Sequence, residues 1–362
     1  MNHLNILCDL ILLTWNHLEI TQRCLESLFR HTNLPSRLIV VDNGSDQPGA
    51  SEYLQTVQPR GSIQEVVLIR NDQDIGFSKG MNTGLRFCLS KQPAPYICLI
   101  SNDVIVSDGW LSELVQVAAS NPTIGLVNPN STNFGFYPAQ GEEINEYGIR
   151  MNRACQGRWQ ELGSCIGFCF LVKKEVIDKV GLFDETYGMA YYEDADLSKR
   201  AQAVGYLCAL AQGCYVYHEQ GESFGKHQQT SPLFLRNEEI FYSRWGMKKS
   251  SRISYILTTK NSGVLNSLSQ KIRQSANQFN KIWILCCQGT NGTKFPNHWN
   301  VRKIFFKGPR FLFSLWSLVY LLLKKKKFNT VFVDSPQLLC FLRNYQNRYQ
   351  TQLQLLSYPS TD

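Results

Sequence analysis

The stretch ILCDLILLTWNHLEITQRCLESLFRHTNLPSRLIVVDNGS, residues 6–45, decides the fold of this chain. It starts with the apolar run Ile6–Thr14, which is typical of a buried strand. In His17–Arg30 the apolar side chains recur on one helical face, and Arg37–Val41 is a second apolar strand that ends at a turn cluster. A strand, a helix and a strand in this order predict a parallel βαβ unit.

The alternation of strands and helices continues along the chain. Further strands are predicted at Glu65–Ile69, Tyr96–Ile100, Ile124–Val127 and Ile166–Val172, and in the segment that ends with Tyr215–His218. Helices are predicted at Phe77–Leu89, Gly109–Ala119, Lys174–Val180, Asp194–Val204 and Pro232–Trp245. Residues 128–162 are predicted to be irregular. We therefore predict an α/β fold with a parallel sheet covered by helices on both faces.

Polar side chains follow three of these strands. Thr14, Asp42 and Asp103 each stand at the carboxyl end of a predicted strand. Open parallel sheets bind their ligands at these ends. The sequence therefore predicts a ligand site at this edge of the sheet.

Length and charge divide the chain into two domains. The 362 residues are 43% hydrophobic and 18% charged, which is ordinary for a globular protein and excludes a disordered one. From Lys248 to the end there are 18 Lys and Arg against 2 Asp and Glu, a balance of +16, whereas residues 1–247 carry −8. We predict domains at 1–247 and 248–362, joined by a linker at Lys248–Arg252.

The second domain is predicted to be a smaller, basic α/β unit. Its strands are predicted at Ile253–Thr258, Ile282–Cys287, Arg302–Phe306 and Thr330–Val333. Its helices are predicted at Leu265–Phe279, Pro309–Lys326 and Pro336–Tyr349, and Gly289–Pro296 is predicted as a loop.

The most apolar helix of this unit, Phe311–Leu323, has two interpretations. It is too short to span a bilayer, and the chain has no run of about 18 apolar residues. The interpretation we favour is a helix buried between two parallel strands, since such helices are apolar. The other is peripheral contact with an anionic membrane surface, which the basic run Lys324–Lys327 supports.

The start of the chain and its cysteines bear on the compartment. Residues 1–9 lack a basic segment, so we expect no secretory leader. The twelve cysteines form no pair of CxxC motifs, which argues against a structural zinc site. We expect reduced, mostly buried thiols in a cytoplasmic protein, and no nucleic-acid partner.

Three motifs contain candidate chemical groups. Asp103 follows a buried strand, where a carboxylate suits either a divalent cation or a turn or helix cap. Residues 191–197, YYEDADL, place three carboxylates at a helix start, which suits helix capping and also a general base whose pKa its neighbours raise. His218 ends a strand before a glycine-containing loop, which fits a metal ligand, a phosphate contact or a structural histidine.

In this order, the motifs of residues 6–246 resemble family 2 glycosyltransferases of the GT-A fold, in their rhamnosyltransferase-like branch. The matching motifs are TWN at 14–16, VVDNGS at 40–45, Asn71 with GFSKGMNTG at 76–84, SND at 101–103, GLFDE at 181–185, EDADLSKRA at 193–201 with Gly205–Tyr206, and His218 with Ser223 and Gly225. The resemblance implies a GT-A nucleotide-diphospho-sugar transferase fold followed by a smaller, incomplete Rossmann-like α/β unit.

The resemblance also implies an activity and roles for single residues. The chain would transfer one sugar, with inversion and a bound metal ion, from a UDP, GDP or dTDP sugar to a glycan or lipid-linked hydroxyl. Such transfer would serve cell-surface polysaccharide or glycolipid synthesis. Asp194 would be the base, and Asp103 and His218 would hold Mn²⁺ or Mg²⁺ on the diphosphate. Donor binding would use Thr14, Asn16, Asp42, Asn71, Lys79, Asn82, Ser101 and Asn102, and the acceptor side would include Cys165, Gly167 and Glu193.

The sequence departs from the family pattern at two positions. Ser101 replaces the first Asp of the family's D-x-D motif, so Asp103 would supply a larger share of the metal coordination. Processive members carry Q-x-x-R-W, and here Phe241 occupies the Gln position before Arg244–Trp245, which implies single-sugar transfer. Residues 250–357 resemble, more weakly, a truncated N-terminal half of a GT-B (family 4) enzyme.

Two functions of other classes compete with sugar transfer. A degenerate transferase would bind nucleotide or glycan without turnover; Ser101 favours this hypothesis, and the intact Asp103, Asp194 and His218 oppose it. A dinucleotide-dependent oxidoreductase needs a G-x-G-x-x-G motif after the first strand. Residues 15–18, WNHL, occupy that place and contain no glycine, which excludes this class.

Overall fold

A mixed sheet organises the first of the two units into which the chain divides. The computed structural model describes residues 5–219, 231–287, 294–345, 348 and 351–356. One unit consists of Met1–Gln160 and Ser164–Trp245, and the other of Glu161–Gly163 and Gly246–Asp362.

The sheet of the first unit has the strand order β3-β2-β1-β4-β8-β6-β9-β5, and β7 pairs with β9. Its strands are β1 (Cys8–Thr14), β2 (Ser36–Asp42), β3 (Ile63–Arg70), β4 (Tyr96–Ser101), β5 (Val104–Val106), β6 (Ile124–Asn130), β7 (Trp159–Leu162), β8 (Cys169–Lys173) and β9 (Leu207–His218). β3, β2, β1 and β4 are parallel neighbours, as predicted.

The prediction of a wholly parallel sheet is wrong beyond β4, because β8 runs antiparallel to both β4 and β6. β8 enters the sheet at Cys169, which pairs with Ile100 at the carboxyl end of β4. The segment between β6 and β8 contains the helix Ile144–Cys155 and β7 and returns to that same edge, where the Asn128 amide donates to the Ile166 carbonyl at 3.0 Å.

Helices cover both faces of this sheet. They are α1 (Leu18–His31), α2 (Ala50–Gln55), α3 (Phe77–Ser90), α4 (Trp110–Ser120), α5 (Ile144–Cys155), α6 (Lys174–Val180), α7 (Glu193–Ala203) and α8 (Pro232–Arg244). Alternate residues of β1 serve the two faces: Leu10 and Leu12 pack in the core with α1, and Ile11 and Leu13 lie against α3.

Residues 128–162 are more regular than predicted, because they contain α5 and β7. In α5 only Tyr147 and Gly148 are buried, and the Tyr147 ring packs edge-on against Tyr215 with centroids 4.5 Å apart. Such a narrow buried face leaves a weak periodic signal in the sequence. The short helix α2 was not predicted either.

The second unit is a sheet of five parallel strands in the order β12-β11-β10-β13-β14. The strands are β10 (Arg252–Leu257), β11 (Lys281–Cys287), β12 (Val301–Phe306), β13 (Thr330–Val333) and β14 (Gln352–Leu355). Its helices are α9 (Ser262–Asn277), α10 (Phe313–Leu323) and α11 (Pro336–Arg343). Counted within the unit, the strand order is 3-2-1-4-5, which belongs to the doubly wound Rossmann-like class.

Three predictions for this unit need correction or fall outside the description. The helix predicted at Pro309–Lys326 is a 3₁₀ turn, Arg310–Leu312, followed by the shorter α10. In the region predicted as the helix Pro336–Tyr349, α11 ends at Arg343, and the predicted end at Tyr349 lies outside the described residues. β14 was not predicted, because the four-residue run QLQL is too short to be distinguished from a loop by its pattern. The predicted loop Gly289–Pro296 lies mostly outside the described residues. Among the described residues, no helix combines the length and apolarity that a membrane span requires.

Close packing of α3 on β1 fixes the position of that helix. A Cβ atom added at Gly84 would lie 2.5 Å from Ile11 Cγ2 and 3.2 Å from Val41 Cγ2. Both neighbours are β-branched residues of buried strands, so neither methyl can rotate away cheaply. Glycine therefore allows the backbone of α3 to approach the sheet.

Replacing Gly84 by alanine tests this packing. Gly84→Ala should lower the free energy of unfolding of the first unit by about 1–3 kcal/mol, because the added methyl overpacks the interface. An ordinary helical Gly→Ala change has the opposite sign and stabilises by roughly 0.5–1 kcal/mol. Gly263→Ala in α9 is the matched control, since its nearest contact would be Asn261 Oδ1 at 3.4 Å. Urea unfolding followed by circular dichroism measures both; unchanged stability of Gly84→Ala would contradict the proposed packing.

Candidate functional site

The carboxyl ends of β1, β2 and β4 form one polar edge. Thr14 and Asp42 are register partners at the ends of β1 and β2. Asn102 follows β4, and its amide donates to the hydroxyls of Thr21 at 2.8 Å and Thr14 at 3.2 Å. These bonds tie the loop after β4 to the end of β1, as the strand order predicts.

Asp42 is buried at this edge and has its partners within the chain. Its Oδ1 accepts the Ser45 N–H at 2.9 Å, and its Oδ2 pairs with Arg70 Nη1. Arg70 Nη2 also donates to the Ser45 carbonyl at 2.8 Å. Arg70, at the end of β3, is a site residue that the sequence analysis missed.

Asn16 shapes the turn after β1. It adopts φ 53° in the left-handed region, where asparagine is tolerated better than most residues. Its Oδ1 accepts the backbone N–H groups of Asp46 and Gln47, each at 2.9 Å. The turns that follow β1 and β2 are thus fastened to each other by one side chain.

Asp103 and His218 form the candidate metal centre. β5 and β9 pair through Val104 and His218, and His218 Nε2 lies 3.0 Å from Asp103 Oδ2. His218 Nδ1 lies 2.7 Å from Asn133 Oδ1, which directs Nε2 towards Asp103. The Phe168 ring stacks on the imidazole with centroids 5.0 Å apart. Asn133 and Phe168 carry no signal of this role in the sequence.

One carboxylate oxygen of Asp103 is available to bind a cation at this centre. Asp103 Oδ1 is buried and has no hydrogen-bond partner among the residues that the structure describes. A carboxylate oxygen beside an imidazole nitrogen is a donor set that divalent cations accept. The described ranges contain no group of three or more His, Cys, Asp or Glu placed to hold a metal. Two protein ligands would leave further coordination positions to a phosphate-bearing ligand and water.

The second part of the site lies at the start of α7, where Asp194 is partly exposed. Asp194 Oδ2 accepts the Gly167 N–H at 2.7 Å, and its Oδ1 accepts the Ala195 N–H at 2.6 Å. Burial raises the pKa of Asp194, and these backbone bonds oppose the rise. Two main-chain N–H groups therefore fix the orientation of the Asp194 carboxylate. Its position in the first turn of α7 favours the ionised form, because the N-terminus of a helix attracts negative charge.

The neighbouring Glu193 is more buried than Asp194. It is buried, and burial together with the charge of Asp194 raises the pKa of Glu193 well above its ordinary value. Within the described part of the chain, Glu193 Oε2 has no hydrogen-bond partner. Asp194, whose two oxygens accept backbone N–H bonds, is therefore better placed than Glu193 to carry the negative charge.

The third carboxylate of the motif, Asp196, is a structural anchor. It is fully buried and accepts hydrogen bonds from Arg200 Nε at 2.8 Å, Arg244 Nη1 at 3.2 Å and Trp245 Nε1 at 3.1 Å. Of the three neighbouring carboxylates, Asp196 is therefore the one that the surrounding side chains hold in place. The Arg244–Trp245 pair of the sequence motif closes α8 onto this anchor.

A strained turn immediately before α7 positions Glu193 and Asp194. Tyr191 and Tyr192 have φ of 76° and 73°, a conformation that bulky residues rarely adopt. The buried Asn237 of α8 holds the turn, because its Nδ2 lies within 2.7 to 3.2 Å of the carbonyls of Tyr187, Ala190 and Tyr191. Backbone strain maintained by its surroundings is typical of functional segments. Asn237 is a positioning residue that the sequence analysis did not find.

Residues 167 and 168 join the two halves of the site. Gly167 N–H bonds Asp194, and the ring of Phe168 stacks on His218. The Phe168 carbonyl also accepts the Ser101 N–H at 2.9 Å, two residues before Asp103. Asp103, His218 and Asp194 are therefore brought together across consecutive residues of one segment.

The remaining predicted residues lie around this centre with other partners. Asn71 donates to Asn43 Oδ1 at 2.9 Å, and Lys79 is exposed in the first turn of α3. Asn82 is buried and bonds the backbone of Phe183 and the carboxylate of Glu185. The Cys165 thiol is buried, and its backbone N–H donates to Ser198 Oγ at 2.9 Å. Of the motif that begins at His218, Ser223 and Gly225 lie outside the described residues.

Comparison with known proteins gives a family and distant relatives. The model of the family described as glycosyl transferase family 2 matches residues 9–181. Protein y4gI of Sinorhizobium fredii is 25% identical over 263 residues, which cover 66% of this chain and 27% of that protein. The N-acetylglucosaminyl-diphospho-decaprenol L-rhamnosyltransferase of Mycobacterium tuberculosis is 23% identical over 279 residues, 67% of this chain and 87% of that protein. This chain thus spans about a quarter of the length of y4gI.

A solved structure is also similar over part of the chain. It is the mannosyltransferase PcManGT of Pyrobaculum calidifontis in complex with GDP-Man and Mn²⁺. The sequence identity is 16% and the TM-score is 0.46, over 60% of this chain and 58% of that chain.

Replacing Glu193 by glutamine tests the proton assignment. A carboxyl whose pKa is raised on folding binds its proton more tightly in the folded state, so stability falls as pH rises from its unfolded value of about 4.3 towards its folded pKa. Glu193→Gln removes that fall, so its stability relative to wild type should increase by up to about 1.4 kcal/mol per pH unit in this window. Thermal unfolding between about pH 5 and pH 8 measures the difference. The exposed Glu239→Gln is the control, and a pH-independent difference for Glu193→Gln would contradict the assignment.

Proposed function

We propose that the chain transfers a single sugar from a nucleotide-diphospho-sugar to a hydroxyl acceptor with inversion at the anomeric carbon; the match of residues 9–181 to the model of glycosyl transferase family 2 supports this proposal. The observation that carries the proposal is the junction at residues 167 and 168. There the Gly167 N–H donates to Asp194, and the Phe168 ring stacks on His218, whose Nε2 lies 3.0 Å from Asp103 Oδ2.

Asp194 is proposed as the general base. Its carboxylate is better placed than Glu193 to carry the negative charge and accepts two backbone N–H bonds. It would accept the proton of the acceptor hydroxyl as that oxygen forms its bond to the anomeric carbon. The bond from this carbon to the diphosphate oxygen breaks, and the nucleoside diphosphate leaves with the electron pair. A single displacement on the face opposite the leaving group inverts the anomeric centre.

Asp103 and His218 would hold Mn²⁺ or Mg²⁺. The unpartnered Asp103 Oδ1 and the orientation of His218 by Asn133 support this assignment. When bound, the cation would neutralise the negative charge that develops on the departing diphosphate. Ser101 stands where the family has another carboxylate, so the protein supplies one negative charge fewer to this centre.

The donor would lie along the polar edge of the sheet. Strand ends at this edge are the usual binding place in open α/β sheets. We assign donor contacts to Thr14, Asn16, Asp42, Asn71, Lys79, Asn82, Ser101 and Asn102, and the acceptor side to Cys165, Gly167 and Glu193. UDP, GDP and dTDP are the candidate nucleotides.

The acceptor is proposed to be a glycan or a lipid-linked sugar of a cell-surface polysaccharide or glycolipid. The Mycobacterium tuberculosis relative, whose name includes a diphospho-decaprenol acceptor, supports a lipid-linked one. Transfer of one sugar, rather than processive extension, is supported by Phe241. Its buried ring packs on Tyr192 with centroids 5.1 Å apart, where processive members have a glutamine. A cytoplasmic location remains a prediction.

A transferase that only binds its ligands is the second candidate function, because Ser101 reduces the charge of the metal centre. Both functions predict nucleotide binding, and only the first predicts turnover. Loss of turnover on removing the base therefore separates them.

Replacing Asp194 by asparagine tests the base. Asp194→Asn keeps the side-chain size but cannot take up a proton, so transfer should fall by about 10²–10⁴-fold while donor affinity stays within about twofold. Sugar transfer measured by release of nucleoside diphosphate, with donor binding by calorimetry, gives both values. The exposed Asp178→Asn is the control and should keep wild-type rates. Wild-type turnover in Asp194→Asn would exclude the assignment, and a wild-type protein without turnover would favour the binding module.

Metal removal tests the centre formed by Asp103 and His218. With nucleotide at about 100 times its dissociation constant, UDP, GDP or dTDP should stabilise the wild type by about 2.7 kcal/mol in the presence of Mn²⁺ and much less with EDTA. Asp103→Ala should lose the Mn²⁺-dependent part, and the control Asp178→Ala should keep it. Thermal shifts for all three nucleotides measure this. Equal stabilisation with Mn²⁺ and with EDTA would disprove the metal assignment.

A further inference from the structure

The helix α10 and the turn before it carry an apolar surface that the sheet does not cover. Residues 311–323, FLFSLWSLVYLLL, contain no charged side chain. One face of α10 packs into the core of the second unit through Phe313, Leu318 and Leu321. The interpretation of this helix as buried therefore holds for one face only.

The opposite face is exposed and also apolar. The exposed fractions are 82% for Phe311, 54% for Leu315, 43% for Val319 and 77% for Leu323. These residues are spaced by four along the chain and lie along one side of the helix. A surface helix of a globular protein normally places polar or charged residues there. A continuous apolar stripe of this kind marks an interaction surface.

Basic residues flank the stripe at both ends. Lys307 and Arg310 precede it, and the run Lys324–Lys327 follows it. Residues 248–362 contain only two acidic side chains, and one of them, Asp334, accepts bonds from Thr258 and Thr259. Lys325 and Lys326 are exposed. The charge around the stripe is therefore of one sign.

We propose that the stripe Phe311–Leu315–Val319–Leu323 and the flanking basic residues form a docking surface for an anionic phospholipid bilayer. A helix lying in the plane of the membrane would insert the apolar stripe below the headgroups. The basic residues at its two ends would remain at headgroup level, where each lysine attracts anionic lipid. The surface belongs to the second unit alone, so the proposal does not depend on the proposed function of the first.

Charge complementarity favours a lipid surface over a second copy of the chain. A symmetric dimer through this face would bring the same basic residues of two copies together, because such an interface is self-complementary. Like charges at close range oppose that association. An anionic bilayer instead supplies the opposite charge and an apolar interior together.

Co-sedimentation of the full chain with vesicles tests the proposal. Vesicles with about 30% phosphatidylglycerol in phosphatidylcholine should bind the wild type, and phosphatidylcholine alone should bind it at least about tenfold more weakly. The apolar variant Phe311→Gln/Leu315→Gln/Leu323→Gln should reduce binding to the anionic vesicles by at least about tenfold. The basic variant Lys325→Gln/Lys326→Gln/Lys327→Gln should do the same, and high salt should weaken wild-type binding.

Matched controls remove equal numbers of groups elsewhere. Lys91→Gln/Lys179→Gln/Lys271→Gln removes three exposed charges, and Lys271 lies on α9, which packs on the other face of the sheet from α10. Leu89→Gln/Val204→Gln/Leu355→Gln removes three exposed apolar side chains at other sites. Both controls should bind as the wild type. All substituted side chains are exposed, so thermal unfolding should be unchanged, which separates lost binding from lost folding.

Three results would overturn the proposal. One is a wild type that stays in solution with both kinds of vesicle. Another is binding that the α10 variants retain or that the controls lose equally. The third, from sedimentation velocity without lipid, is a dimer that Leu315→Gln dissociates, since a second copy would then cover the stripe.

Discussion

Two backbone groups of consecutive residues, the N–H of Gly167 and the carbonyl of Phe168, link the candidate base to the strand end beside the candidate metal pair. The first orients Asp194, the second binds the strand end next to Asp103, and the Phe168 ring supports His218. Main-chain groups are suited to this task, because no rotamer change can displace them. The antiparallel entry of β8 at this point is what brings them to the carboxyl edge.

Buried carboxylates at this edge have different fates because their partners differ. Asp42 and Asp196 are paired with arginines, which offset the cost of removing a charge from water. Asp194 accepts two backbone N–H bonds. Burial and the charge of Asp194 raise the pKa of Glu193, which favours its neutral form. One motif of similar residues thus contains an anchor, a candidate base and a buried acid, and the packing around each one distinguishes them.

The sequence predicted the parts of this structure that local patterns encode. Thr14, Asp42 and Asp103 were placed at strand ends because apolar runs stop there, and α7 was placed at its motif. The direction of β8 and the helix α5 escaped prediction, because direction depends on a long excursion of the chain and α5 buries little. Arg70, Asn133 and Asn237 were missed for a related reason. Each acts through a contact to a residue distant in sequence, and a polar residue at a strand end or in a helix has no local pattern that reveals such a contact.

The left-handed conformation of Tyr191 and Tyr192 has a consequence for how this segment tolerates change. Glycine would adopt the same backbone angles without steric cost, so the tyrosines are not the residues that the backbone alone would select. Their rings pack on Phe234 and Phe241 of α8, and glycine would lose those contacts. The backbone conformation therefore favours glycine at these positions, whereas packing against α8 favours an aromatic residue. Substitution at these two positions is therefore constrained by α8, a helix that begins some forty residues further along the chain.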